Sequence, residues 1–109
     1  MQRSLNGRTV YKGIAEGHII YYRKSLSYTL LRKKTILVVK ILSAEIVPFL
    51  KSIKGIIAEK GGITSHPAIV CRELKVPSIV GVSITDIKVK EHESVKLNTF
   101  NKTINIANE

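Results

Sequence analysis

The residue types best suited to chemistry stand together in Glu59-Lys60-Gly61-Gly62-Ile63-Thr64-Ser65-His66-Pro67-Ala68-Ile69-Val70. Two glycines, two hydroxyl residues and a histidine fall almost in a row. A neutral imidazole is a good nucleophile near neutral pH. The residues before it are those that hold negative charge. Gly61 and Gly62 let the backbone approach an anion closely or take positive φ. Thr64 and Ser65 bring hydroxyl donors. Together these types suggest a histidine, His66, that accepts a phosphoryl group while neighbouring donors hold the phosphoryl oxygens.

Two elements must position this stretch. The apolar run Gly55-Ile56-Ile57-Ala58 reads as a short buried strand, and a helical pattern follows His66 as far as Lys75, before Pro77. The motif is therefore a strand, a glycine-rich turn and a helix start. The first N–H groups of a helix lack intrahelical partners and carry the positive end of its dipole, which suits an anion. Proline is welcome at the first helical position and disfavours the α region for the residue before it. The spacing thus predicts His66 in the cap position, just outside the helix, with its ring free. Thr64 and Ser65 are expected to cap the helix as well as contact phosphate. Arg72 lies more than a turn inside; helical side chains lean towards the N-terminus, so its guanidinium can approach a phosphate. A solvent or carboxylate contact for Arg72 is equally open.

Other candidates have simpler roles. Cys71 reads as a small buried residue, and Ile69, Val70 and Leu74 as core. His18 and His92 lack ligand-spaced partners, so no metal site is expected.

Along the rest of the chain, strands are predicted over 8–12, 17–22, 26–30, 35–42, 78–82, 94–98 and 102–107, the last two as a hairpin. Ser43 is a plausible cap for a helix over 44–53, which Pro48 should kink or delay. Residues 83–89 fit either a turn or a strand. Strands alternating with helices give an α/β unit with parallel strands, and strands at both ends suggest a second β layer.

With 109 residues, 44% of them hydrophobic, the chain is expected to fold as one domain over 1–109. One cysteine excludes an intrachain disulfide. The first residues lack the apolar core of a signal peptide, and the apolar runs are too short to span a bilayer, so a cytoplasmic protein without membrane contact is expected. Lysine and arginine number 18 against 8 acidic residues, a formal charge of +10. That balance attracts anionic partners, or simply keeps a lysine-rich surface solvated. The Arg32-Lys33-Lys34 run with Tyr21, Tyr22 and Tyr28 nearby has the composition of a nucleic-acid surface, but no fold-specific motif accompanies it, which argues against nucleic acid.

Residues 61 to 81 resemble the phosphohistidine, or swivelling, mobile domain of phosphoenolpyruvate-utilising enzymes. That group includes pyruvate phosphate dikinase, phosphoenolpyruvate synthase, enzyme I of the sugar phosphotransferase system and rifampin phosphotransferase. The likeness is carried by Gly61, Gly62, Thr64, Ser65, His66, Ala68, Ile69, Arg72, Pro77 and Gly81. Weaker likeness extends to Gly13-Ile14-Ala15-Glu16-Gly17, Ile36-Leu37-Val38-Val39 and Val95-Lys96-Leu97-Asn98. The chain departs from the family where a glycine usually precedes the last of these strands, at Lys90-Glu91-His92-Glu93, and where Asn98-Thr99 replaces the usual Asp-Gly. The resemblance implies a three-layer β/β/α swivelling fold with His66 phosphorylated. It implies a phosphotransferase component, incomplete alone, that shuttles the group between an ATP-binding and a phosphoenolpyruvate-binding domain or subunit. No cofactor is then expected on this domain, and Mg²⁺ is expected at the partner's donor site. The other class that fits is a non-catalytic basic module of the same fold that binds an acidic protein or nucleic acid.

Overall fold

The computed structural model describes residues 2–26 and 34–107. Eight strands form one mixed sheet: β1 (Gln2–Ser4), β2 (Arg8–Tyr11), β3 (Ile14–Tyr21), β4 (Thr35–Ile41), β5 (Gly55–Lys60), β6 (Ser78–Val80), β7 (Ser94–Asn98) and β8 (Thr103–Ile106). Their order across the sheet is β1-β8-β7-β3-β4-β5-β6-β2. The central strands β3, β4, β5 and β6 run parallel, and the outer pairings are antiparallel.

The sheet cannot lie flat. A flat sheet of eight strands would hold its edges about 33 Å apart. Yet β1 and β2, the two edges, are joined by only Leu5, Asn6 and Gly7, a link that reaches at most about 14 Å. The sheet therefore rolls until its edges come close. Gly7 serves this closure, because a Cβ there would stand 2.4 Å from the Val80 carbonyl oxygen.

Rolling gives the central strands two buried faces, which explains why β4 reads as a continuous apolar run. Ile36, Val38, Ile57 and Ile79 point into the roll and pack with Val95, Leu97, Ile104 and Ile106. Leu37, Val39, Ile56 and Ala58 point outward and pack beneath the helices with Ile46, Leu50, Ala68 and Cys71. Each fully buried Ile or Leu contributes about 1.5–3 kcal/mol relative to exposure. The expected second β layer is thus present, as the rolled-over part of the same sheet. The helical layer consists of a 3₁₀ helix (Ala44–Ser52) and α1 (His66–Glu73); a one-turn helix, α2 (Ile84–Ile87), lies in the stretch that was open between turn and strand.

Several elements depart from expectation. Ser43 makes no side-chain cap bond, and the segment after it winds as 3₁₀ rather than α. Pro48 lacks an N–H and its ring crowds the carbonyl four residues back, which disfavours α winding there. Strand β1 was not legible: Gln2-Arg3-Ser4 has no apolar alternation and joins the sheet edge through backbone pairing with β8. The strand expected over 26–30 lies outside the described residues except for Leu26, which is buried after a turn closed by its N–H to the Arg23 carbonyl. The basic run 32–33 also lies outside them.

The family departures have structural work of their own. Thr99 is fully buried; its hydroxyl accepts from Gly13 N–H at 2.8 Å and donates to the Tyr11 carbonyl at 2.7 Å, fixing the β2–β3 corner. Asn98 Oδ1 accepts from Phe100 N–H at 3.0 Å and Asn101 N–H at 3.2 Å, forming the turn into β8. Glu91 accepts from Tyr21 N–H and Arg23 Nη1, both at 2.9 Å. No helix among the described residues is long and apolar enough to cross a membrane.

Candidate functional site

Strand β5 delivers the chain to the C-terminal end of the parallel strands, and residues 61–65 turn it into α1. Gly61 is near-extended with φ 159° and packs so tightly that a Cβ would meet Leu42 Cβ at 2.7 Å. Gly62 is different: its φ is not positive, and an added Cβ would meet only Ser65 at 3.8 Å. Of the two glycines, Gly61 serves close packing of the turn, and Gly62 keeps its outer side open.

Ser65, not His66, is the cap of α1. Its carbonyl accepts from Ile69 N–H at 3.0 Å and its hydroxyl from Ala68 N–H at 3.4 Å. His66 is therefore the first helical residue and Pro67 the second, one position later than the proline rule suggests. The shift is tolerated because Pro67 still falls among the positions whose N–H would have no intrahelical partner. Ser65 also donates its one hydroxyl proton to the Gly62 carbonyl at 2.7 Å, so that proton is committed to the turn. Capping thus falls to Ser65 alone, and the exposed Thr64 hydroxyl is left uncommitted.

His66 is exposed on the first turn of α1. Among the described residues, its ring has no hydrogen-bond or ion-pair partner, and the backbone N–H groups of Gly62, Thr64 and His66 donate to no protein acceptor. These donors and the positive end of the α1 dipole belong to the same short stretch, 62–66, as an accessible imidazole. Such an arrangement can hold an anion and present a nucleophile to it.

Arg72 reaches back along the helix as its direction predicts, but meets the turn's backbone. Its Nε donates to the Val10 carbonyl at 3.2 Å, and its Nη2 donates to the Ile63 carbonyl. The guanidinium therefore ties the 61–65 turn to β2. The packing face of α1 is Pro67, Ala68 and Cys71. Ile69 and Leu74, expected in the core, are 45% and 37% exposed, and Val70 is half-buried, because they lie off that face. Ile69 stands three residues from His66 and so neighbours it on the helix surface. Cys71 is fully buried; burial pushes its thiol up, against the opposing effects of Ser78 and Arg72.

Sequence reasoning had no signal for Leu42, whose Cβ requires Gly61, or for the two carbonyls that engage Arg72; the Leu42 and Val10 contacts join residues far apart in the chain. Cavities of about 320–610 Å³ are lined by other residues than His66. Among the described residues, no three of His, Cys, Asp and Glu gather closely enough to hold a metal ion.

The model of the family described as PEP-utilising enzyme, mobile domain, matches residues 31–101. A probable phosphoenolpyruvate synthase of Methanothermobacter thermautotrophicus is 34% identical over 85 residues, which cover 78% of this chain and 12% of that protein. The phosphoenolpyruvate synthase of Aeropyrum pernix is 38% identical over 61 residues, 56% of this chain and 7% of that protein. The chain thus spans a small part of the length of the curated relatives it matches. In fold, it is similar to Thermococcus kodakaraensis aconitase X (holo-form), with a TM-score of 0.67 at 19% identity over 97% of this chain and 98% of that one. It is also similar to the N-terminal domain of Enzyme 1 - Nitrogen, with a TM-score of 0.55 at 21% identity over 70% of this chain and 32% of that one.

Proposed function

Because this chain belongs to the mobile-domain family of PEP-utilising enzymes, we propose that it is a phosphoryl carrier whose loading site is His66. The observation that carries the proposal is the exposed imidazole beside uncommitted N–H groups at the start of α1. In the loading step, an unprotonated ring nitrogen of His66 attacks the donor's phosphorus. An N–P bond forms as the P–O bond to the leaving group breaks, and the electron pair departs with that oxygen. The N–H groups of Gly62, Thr64 and His66, the Thr64 hydroxyl and the helix dipole stabilise charge on the phosphoryl oxygens. Ser65, Gly61 and Arg72 hold the turn in shape. Transfer to an acceptor reverses the same bonds.

The domain does not complete this reaction alone. Phosphoryl transfer needs the donor held in line and its charge neutralised, usually by metal ions. We assign those tasks, with Mg²⁺, to partner domains or subunits that bind ATP and phosphoenolpyruvate or another acceptor. Ile69, exposed beside His66, would be covered when such a partner closes over the site. ATP and phosphoenolpyruvate are intracellular metabolites, so the reaction belongs in the cytoplasm. The test is to incubate the chain with each labelled donor and Mg²⁺, with and without candidate ATP-binding and phosphoenolpyruvate-binding proteins. Labelling only in the presence of a partner is expected. Rapid stoichiometric labelling of the isolated chain would overturn the carrier assignment.

A further inference from the structure

The end of the domain opposite His66 carries a charged feature that phosphoryl transfer does not use. Lys34 and Lys54 immediately precede β4 and β5, and Pro77 immediately precedes β6, so all three mark the N-terminal end of the parallel strands. His66 follows the C-terminal end of β5. The six residues of β5 put about 20 Å between the two ends. At the N-terminal end lies a groove of about 610 Å³ lined by five lysines, Lys12, Lys34, Lys54, Lys75 and Lys96, against one acid, Glu16. Among the described residues, no ion pair engages any of the five. Like charges gathered round one groove repel one another, and an anionic partner relieves that repulsion.

The rest of the lining distinguishes between anions. Ile14 contributes to the groove and is 53% exposed, with the half-buried Tyr11 nearby. An exposed isoleucine inside a cationic rim suits a ligand that is both acidic and apolar. All five cations are lysines; arginine, the side chain whose planar fork matches phosphate, is absent from the lining. A polypeptide with carboxylates around an apolar side chain fits these features better than a nucleic acid does. We propose that the groove docks an acidic segment of a partner polypeptide, with its carboxylates on the lysine rim and an apolar side chain over Ile14. A domain held there keeps His66, about 20 Å away, open to other sites. The inference does not depend on phosphorylation of His66.

A fluorescent ten-residue peptide of alternating glutamate and leucine is the probe. Saturable binding is expected, with its amide shift changes centred on Ile14, Lys54 and Lys75 and absent around His66. The triple variant Lys12→Gln, Lys54→Gln, Lys75→Gly should bind roughly tenfold more weakly, from the loss of three rim charges. A control of equal charge, Lys40→Gln, Lys88→Gly, Lys90→Gln, should bind within about twofold of the parent, since its sites lie outside the groove. Lys75 and Lys88 have φ of 58° and 49°, so glycine suits both backbones and the two variants should keep the fold. Equal weakening in both variants, equal binding of a glutamine-for-glutamate peptide, or shift changes elsewhere would overturn the proposal. So would no saturable binding, or tighter binding of an oligonucleotide of the same charge.

Discussion

Alanine at Gly61 and at Gly62 should separate the architecture of the turn from its chemistry. A Cβ at Gly61 would stand 2.7 Å from Leu42 Cβ and 3.4 Å from Val80 Cγ1. Leu42 is 3% exposed, and its N–H donates to the Lys60 carbonyl at 2.8 Å. Its Cβ cannot give way unless the backbone after β4 moves with it. Gly61→Ala is therefore overpacking at a fixed junction and should cost about 1–3 kcal/mol. Each 1 kcal/mol lowers the melting midpoint of a domain near this size by about 4–8 °C. At Gly62 the nearest atoms to an added Cβ are 3.8 Å away, an ordinary contact, so Gly62→Ala should cost no more than about 0.5 kcal/mol. Its bulkier relative Gly62→Val should still fold, but its branches fill the open space next to the Gly62 N–H, and transfer to His66 should fall at least about tenfold. Urea titration followed by circular dichroism gives the stabilities, and partner-dependent labelling gives the rate. A Gly61→Ala protein as stable as the parent would refute the packing argument. Normal labelling of a folded Gly62→Val protein would remove the backbone cradle.

Ser65→Ala should cost about 1 kcal/mol through the lost cap, whereas Thr64→Val should be neutral within about 0.5 kcal/mol and slow transfer instead; melting and labelling of the two proteins check the division. Arg72→Ala should cost about 1 kcal/mol by releasing the Val10 and Ile63 carbonyls, and Arg72→Lys should not restore both bonds, because an ammonium lacks the planar fork; denaturation midpoints report both. Burial pushes the Glu91 carboxyl up, but the hydrogen bonds from Tyr21 N–H and Arg23 and the Arg23 charge more than offset this, holding it below its ordinary value. Its stabilisation is therefore present above the ordinary carboxylate range and lost as pH falls through the folded value, so Glu91→Gln should flatten the acid side of the stability profile measured by urea titration.

The motif was legible because its chemistry is local: glycines, hydroxyls, histidine and proline follow one another, and a strand–turn–helix reading needs nothing distant. The division of labour within it was not. Ser65 wins the cap because its hydroxyl lies opposite Ala68 N–H, a matter of one residue's register that proline statistics leave open. Ile69 reads as core by type, but only packing shows that Pro67, Ala68 and Cys71 form the buried face of α1. The roll of the sheet was hidden for a similar reason. The pattern in β4 announces two covered faces, but what covers the second depends on β1 and β2 meeting across three residues. Strand β1 itself has a polar sequence that carries no period.

Everything proposed for the turn depends on His66 being the residue that takes the phosphoryl group. The most direct measurement is site mapping after partner-dependent labelling, with digestion at alkaline pH and fragmentation of the peptide holding residues 61–75. One phosphate, acid-labile and base-stable, is expected on His66, together with a His66→Ala protein that melts as the parent does and takes up none. An acid-stable phosphate on Thr64 or Ser65, a phosphate on His18 or His92, or undiminished labelling of the His66→Ala protein would contradict it.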